Sequence, residues 1–165
     1  MIAPPARILT IGVYGYDDTR FVASLLGARA DGLIDVRARR GMRGSKYAWA
    51  NSLRLQTLMA DAGIAYRHVP GFAPAQHMRE LQHQADQRAA IAKSSRSQLA
   101  PSFTEAYVRD ILREDATERF LAALATRFEA PVLMCVEGAP DACHRSLLAQ
   151  RLAADLGLRV EHLTP

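Results

Sequence analysis

Cysteine, tryptophan and long apolar runs are the scarce features of this 165-residue sequence, and each scarcity removes a class of protein. The two cysteines, Cys135 and Cys143, are too few for a disulfide framework, and their separation matches no metal-site spacing; a reducing compartment would keep both as thiols. His68, His77, His83 and His162 show no i, i+4 pairing and no adjacent set of carboxylates, so no metal and no cofactor is expected. The sequence contains no run of about 18 apolar residues, which excludes a membrane-spanning helix. The opening "MIAPPARILTIGV" lacks the charged start, long apolar core and cleavage pattern of a signal peptide, so a cytoplasmic protein without a membrane partner is expected. "GVYG" (Gly12 to Gly15) lacks the spacing of the dinucleotide fingerprint G-x-G-x-x-G. Cys135 and Arg145 stand too far apart for the compact nucleophile loop of the cysteine phosphatases.

What is present is a chain of the right length for one globular domain, 1–165, with a net charge of +4 that is spread unevenly. Arg37, Arg39, Arg40, Arg43 and Lys46 fall in "RARRGMRGSK" with no acidic residue among them. Such a loop is either a solvated face, a seat for a small phosphate or carboxylate, or a contact for nucleic acid. Tyr47 and Trp49 beside it permit base stacking, and packing explains them more simply.

Hydrophobic periodicity places five strands, most of them alternating with helices. "RILTIGV", "GLIDV", "IAYRHVP", "APVLMCV" and "RVEHL" are of strand length. "TRFVASLLGARA" reads as a helix capped by Asp18, and "NSLRLQTLMADAG" as one capped by Asn51 and ended by Gly63. Residues 70–100 form a polar insertion, with a surface helix from Ala75 to Ala92 and a loop that can serve as a lid. "PSFTEAYVRDILR" and "TERFLAALATRF" are two further helices, and a last one opens near Asp141 and closes at Gly157. The order predicts a single three-layer α/β domain with a mostly parallel sheet flanked by helices. Ligands bind such sheets beyond the carboxyl ends of the strands, where "GVYGYD", Asp35 with Arg37, and Glu137 would meet.

The densest chemistry is in "LMCVEGAPDACHRSLLAQRL". Arg145 falls within about 60° of Leu148, Leu152 and Leu156 on a helical wheel, so it shares the stripe that faces the sheet. An inward guanidinium needs a partner, and Asp35, Glu137 or a bound anion would serve. Cys143 and His144 fall in the first helical turn, where free N–H groups favour a thiolate or a bound anion. Packing explains Cys143 more readily than nucleophilic work does, and Cys135 reads as an inert core thiol. The group supports an anion pocket in which Arg37 and Arg145 hold the ligand, Tyr14 and Tyr16 wall it, and Arg39, Arg40 and Arg43 reach it from the basic loop. Glu137, Cys143, His144 and Asp35 are the acid–base or nucleophile candidates. Three functions stay open: hydrolysis or group transfer on a nucleotide-like or nucleic-acid-derived substrate, non-catalytic binding of nucleotide or nucleic acid, and a thiol-based sensor.

Several stretches taken together, "TIGVYGYDDTRFVASL", "LIDVR", "ADAGIAYRHVP", "PSFTEAY" and the Leu133–Leu152 region followed by "VEHL", resemble the domain-of-unknown-function family 488 over nearly the whole chain. Asp35-Val36-Arg37 and the Cys135, Glu137, Cys143-His144-Arg145 group carry the resemblance. Two departures, the basic loop after Asp-Val-Arg and "PGFAPAQ" after the third strand, suggest a divergent branch. The resemblance implies the fold and the place of the site, and assigns no reaction.

Overall fold

The computed structural model describes residues 4–165. Five parallel strands, β1 (Ile8–Gly12), β2 (Gly32–Asp35), β3 (Ala65–His68), β4 (Pro131–Cys135) and β5 (Val160–Leu163), form a sheet of order β3-β2-β4-β1-β5. The expected α/β architecture is therefore present, with every strand pair parallel. β1, β2 and β4 are buried on both faces, as apolar runs without alternation require. β3 and β5 are the half-buried edges.

Successive residues point to opposite faces, and this divides the core in two. Leu9, Ile11, Leu33, Val132 and Met134 pack against Phe21 and Leu25 of α1 (Asp18–Gly27) and Leu55 and Met59 of α2 (Ser52–Asp61). Ile8, Ile34, Leu133 and Cys135 face the other layer. That layer comprises α3 (Gln76–Ala89), α4 (Pro101–Asp110), α5 (Ala116–Leu124) and α6 (His144–Leu156). The chain leaves β1 toward α1 and leaves the adjacent β4 toward α6, so the connections part to opposite faces. A crevice opens between such diverging connections, at the carboxyl ends of the strands.

Three local readings change in detail. Asp17 rather than Asp18 caps α1, its carboxylate accepting from Arg20 N at 2.8 Å. Asn51 stands at the N-cap of α2, but its side chain turns back to accept from Met42 N, tying the basic loop to the helix instead of capping it. α6 begins at His144, because Pro140–Ala142 form a separate 3-10 turn and Cys143 is extended, at φ −138° and ψ 140°. Cys143 is thus the N-cap residue and not part of the first turn. α6 ends at Gly157 with φ +69°, as its sequence predicts. Among the described residues no helix is long and apolar enough to cross a membrane.

The polar segment after β3 is built into the fold. Gln82 and Asp86 on α3 are buried, and Arg96 grips Asp86 through Nε and Nη2 at 3.1 and 2.7 Å. Gln82 donates to Asp86 at 2.7 Å and accepts from Ala100 N at 2.8 Å. Burial works against the Asp86 carboxylate, but Arg96 and Gln82 outweigh it and hold its pKa below the ordinary range. Leu99 N donates to Asp141 O at 3.0 Å, which brings this segment against the turn that precedes α6.

Candidate functional site

Beyond the carboxyl ends of β1 and β4 lies a cleft of about 1470 Å³. Its floor contains Cys135, Glu137, Cys143 and His144; the basic loop after β2 forms one wall, and α3 with residues 90–96 forms the other. Gly12 sets the approach of the two strand ends: a Cβ there would stand 1.9 Å from the Glu137 carbonyl oxygen, so only glycine lets the 136–138 loop cross so close to β1. Val13 N and Tyr14 N both donate to Val136 O at 3.0 Å, which pins the loop.

Asp35 and Arg37 form a buried clamp. Arg37 Nε donates to Asp35 Oδ1 at 2.9 Å, Nη2 to Oδ2 at 2.8 Å, and Nη2 also to Ala50 O at 3.0 Å. Tyr66 donates to Asp35 Oδ2 at 2.6 Å. Burial, with Asp35 as acceptor, pushes the Tyr66 phenol up to about 12, while the nearby Arg40 works in the opposite sense. Asp35 is thereby committed to Arg37 and Tyr66 and does not line the cleft; its geometry is that of an orienting partner. Arg37 reaches the cleft wall, with its Nη1 lacking a protein partner.

Arg145 is fully buried, as its place on the helical stripe predicts, but its partners differ from those expected. Nη1 donates to Glu137 O and Nη2 to Gly138 O at 3.1 Å, both backbone carbonyls, and Nε has no partner. It forms no ion pair with Asp35 or with the Glu137 carboxylate, and it does not line the cleft. Carbonyls turned inward where β4 ends accept from two of the guanidinium's nitrogens and leave its charge uncompensated.

The Glu137 carboxylate instead faces Lys93 Nζ at 3.5 Å and Arg96 Nη1 at 3.8 Å. Burial, reinforced by negative charge at Cys143, raises its pKa above the ordinary carboxylate value. Beneath it, Cys135 Sγ lies 3.7 Å from Glu137 Oε2 and 3.8 Å from His144 Nδ1, and Cys143 Sγ lies 3.9 Å from the same Nδ1. The far nitrogen of His144, Nε2, is 3.3 Å from Val36 O. Burial alone would raise the Cys143 thiol, but the neighbouring Cys135 thiol, His144 and Arg145 outweigh it and bring it well below its ordinary value. Cys135 moves up, through its contact with Cys143 and through burial. His144 also moves up: burial opposes its charge, and Cys143 more than restores it.

Of the remaining candidates, Tyr14, Arg39 and Arg43 line the cleft, whereas Arg40 does not. Tyr14 pairs with Tyr47, ring centroids 5.2 Å apart and tilted by 49°. Tyr16 is no wall: it lies in the α1-side core, edge-on to Phe21, with its hydroxyl 3.1 Å from Ser24 Oγ. Sequence reasoning passed over Cys135, Arg79, Lys93 and Arg96, all on the cleft. Strand periodicity correctly buries Cys135, but its position as the last residue of β4 was the signal that it faces the crevice.

The family described as Domain of unknown function DUF488 matches residues 18–152, which hold α1, both core strands that follow it, and every cleft residue from Arg37 to His144. No curated protein and no solved structure matches the chain.

Proposed function

Because the chain belongs to the family DUF488, whose name carries no activity, function has to be argued from the cleft, and we propose that this cleft binds a phosphate-bearing, nucleotide-like ligand. The observation that carries the reading is the sign of its lining. Arg37, Arg39, Arg43 and Lys46 face it from the basic loop, and Arg79, Lys93 and Arg96 from the opposite wall. Among the described residues the lining carboxylates are Asp86 and Glu137, with Asp86 engaged by Arg96, and Asp35 pairs with Arg37 behind the wall, so cations stay in excess. A concave surface of one sign concentrates field and draws anions. The Tyr14–Tyr47 pair at its edge supplies aromatic faces for a base, which a simple phosphate or carboxylate would not use.

The reaction class that suits these groups is hydrolysis or group transfer. Glu137 puts a carboxylate at the floor of the anion seat as the candidate base, and His144, whose ring nitrogens face the two sulfurs and Val36 O, supports it from beneath. The setting is reducing and cytoplasmic, in keeping with two free thiols. Non-catalytic binding of nucleotide or nucleic acid is the competing use of the same cleft.

The test is equilibrium binding of labelled nucleoside monophosphates, diphosphates and a short single-stranded oligonucleotide across a salt series. Binding at low salt that weakens with added salt, and a shallower salt dependence in Arg39→Glu/Arg43→Glu, are expected. No binding of any of these at low salt refutes the reading. Where turnover accompanies binding, Glu137→Gln should abolish it and leave the affinity largely intact; turnover unchanged by that substitution assigns Glu137 no chemical role.

A further inference from the structure

Cys135, Cys143 and His144 do not form a motif in sequence, yet their ligand atoms all lie within 4.8 Å of one another. Zinc bonds of about 2.3 Å to sulfur and 2.0–2.1 Å to nitrogen, at tetrahedral angles, separate sulfur from nitrogen by about 3.6 Å. The two Sγ–Nδ1 separations here are 3.8 and 3.9 Å, a few tenths of an ångström from that value, and the Sγ–Sγ separation, within 4.8 Å, need close by no more than about 1 Å to bring all three atoms onto one ion. We propose that Cys135, Cys143 and His144 bind a thiophilic divalent cation of the zinc type, with the fourth coordination position open to the cleft.

Three further observations converge on this geometry. The histidine is presented as metal-bound histidines are: Nδ1 points at the sulfurs, and Nε2 is aimed at a backbone carbonyl, Val36 O, which fixes the tautomer and the ring plane. Tyr107 packs on the ring at 5.5 Å between centroids and holds it from behind. The second observation is Arg145, a wholly buried guanidinium whose only partners are neutral carbonyls. Two thiolates and a neutral imidazole make a divalent ion neutral overall, so a hydroxide or other anion in the open fourth position would supply the negative charge that this cation lacks. The third is access, since all three ligands line the cleft although each is nearly buried. Three protein ligands and one open position is the arrangement of a catalytic rather than a structural zinc.

Coordination replaces each S–H bond by an S–metal bond and releases the thiol protons to solvent, while the imidazole binds as the neutral ring. No electron changes hands. Glu137 stands beside the open position, with Oε2 3.7 Å from Cys135 Sγ, and is placed to accept a proton from a water bound there. The metal proposal goes beyond the anion reading and does not require it.

Chelator-stripped, reduced, full-length protein titrated with Co²⁺ reads the site directly. The expected result is a thiolate-to-cobalt charge-transfer band in the near ultraviolet with strong tetrahedral d–d absorption, saturating at equimolar cobalt and displaced by Zn²⁺. Cys135→Ser and Cys143→Ser should each remove about half of the charge-transfer intensity, since each deletes one of two thiolate ligands. The double variant should remove it all, and Glu137→Gln should retain it. Circular dichroism checks that the variants fold. If they do not, protection of both wild-type thiols from a maleimide by Zn²⁺ gives the same answer. A folded, reduced wild-type protein without the band, or a band that survives in the double serine variant, overturns the proposal. Nucleotide binding measured with chelator present is a separate readout, so either reading can fail while the other stands.

Discussion

Asp35→Ala should destabilise the protein severely, and the clamp geometry says by how much. Asp35 accepts from Arg37 N, Nε and Nη2 and from the Tyr66 hydroxyl, at 3.1, 2.9, 2.8 and 2.6 Å. Both charged side chains are within 2 % of complete burial, so solvent screening gives no relief. Truncation to alanine leaves the Arg37 charge buried with Ala50 O as its remaining acceptor. Removing one partner of a buried pair costs about 3–5 kcal/mol, and at about 2–4 °C per kcal/mol for a chain of this size the melting temperature should fall by about 6–20 °C. The assay is urea unfolding followed by circular dichroism and tryptophan fluorescence, supported by calorimetry. The informative partner is the double variant Asp35→Leu/Arg37→Leu. It removes the stranded charge along with its counterion, so it should be more stable than Asp35→Ala alone. A loss below about 1 kcal/mol for Asp35→Ala, or a double variant whose loss equals the sum of the two single ones, would refute the clamp and return Asp35 to the list of groups free for chemistry.

Two further perturbations follow from the same geometry. Gly12→Ala places a methyl group 1.9 Å from the Glu137 carbonyl oxygen; the loop must move, which should cost about 1–3 kcal/mol or more and weaken the cobalt band, whereas unchanged stability and spectrum would contradict the close approach. Tyr66 titrates near 12 in the folded protein against an ordinary 10.0, so the native state holds the phenolic proton more tightly than the unfolded chain does. Its stabilising contribution is complete below pH 10 and is lost as pH rises through about 12. Alkaline absorbance titration should show two late phenols, Tyr66 and the more deeply buried Tyr107, and Tyr66→Phe should delete the one near 12 and leave the other; a variant that keeps both contradicts the assignment.

Arg145 and Cys135 show where local reasoning stops. The helical wheel turns Arg145 inward, and burial confirms it, but the expectation of a carboxylate or bound anion left out neutral acceptors. The Glu137 and Gly138 carbonyls accept from Nη1 and Nη2, because the chain turns at the end of β4 and directs them at the helix, while Nε has no partner. Cys135 was consigned to the core by its apolar neighbours in "APVLMCV". Its neighbours in space are Glu137, Cys143 and His144, and these give a thiol at a strand end a different character from one in mid-strand.

From the sequence alone came the alternation of elements, the parallel sheet and the crevice as the place to look. Those depend on periodicity and on the handedness of crossover connections, both local properties of a chain. The sequence also placed Glu137, Cys143 and His144 near one another, because they lie within one short loop and turn. Only the tertiary structure decided that Asp35 is consumed by Arg37 and Tyr66, that Tyr16 packs in the core, and that Lys93 and Arg96 cross from the far wall to Glu137. The physical reason is common to all three. A charged or aromatic side chain takes its role from the partners that share its low-dielectric surroundings, and some of these, such as Tyr66 for Asp35 and Lys93 for Glu137, arrive from positions more than 30 residues away, where no spacing rule reaches.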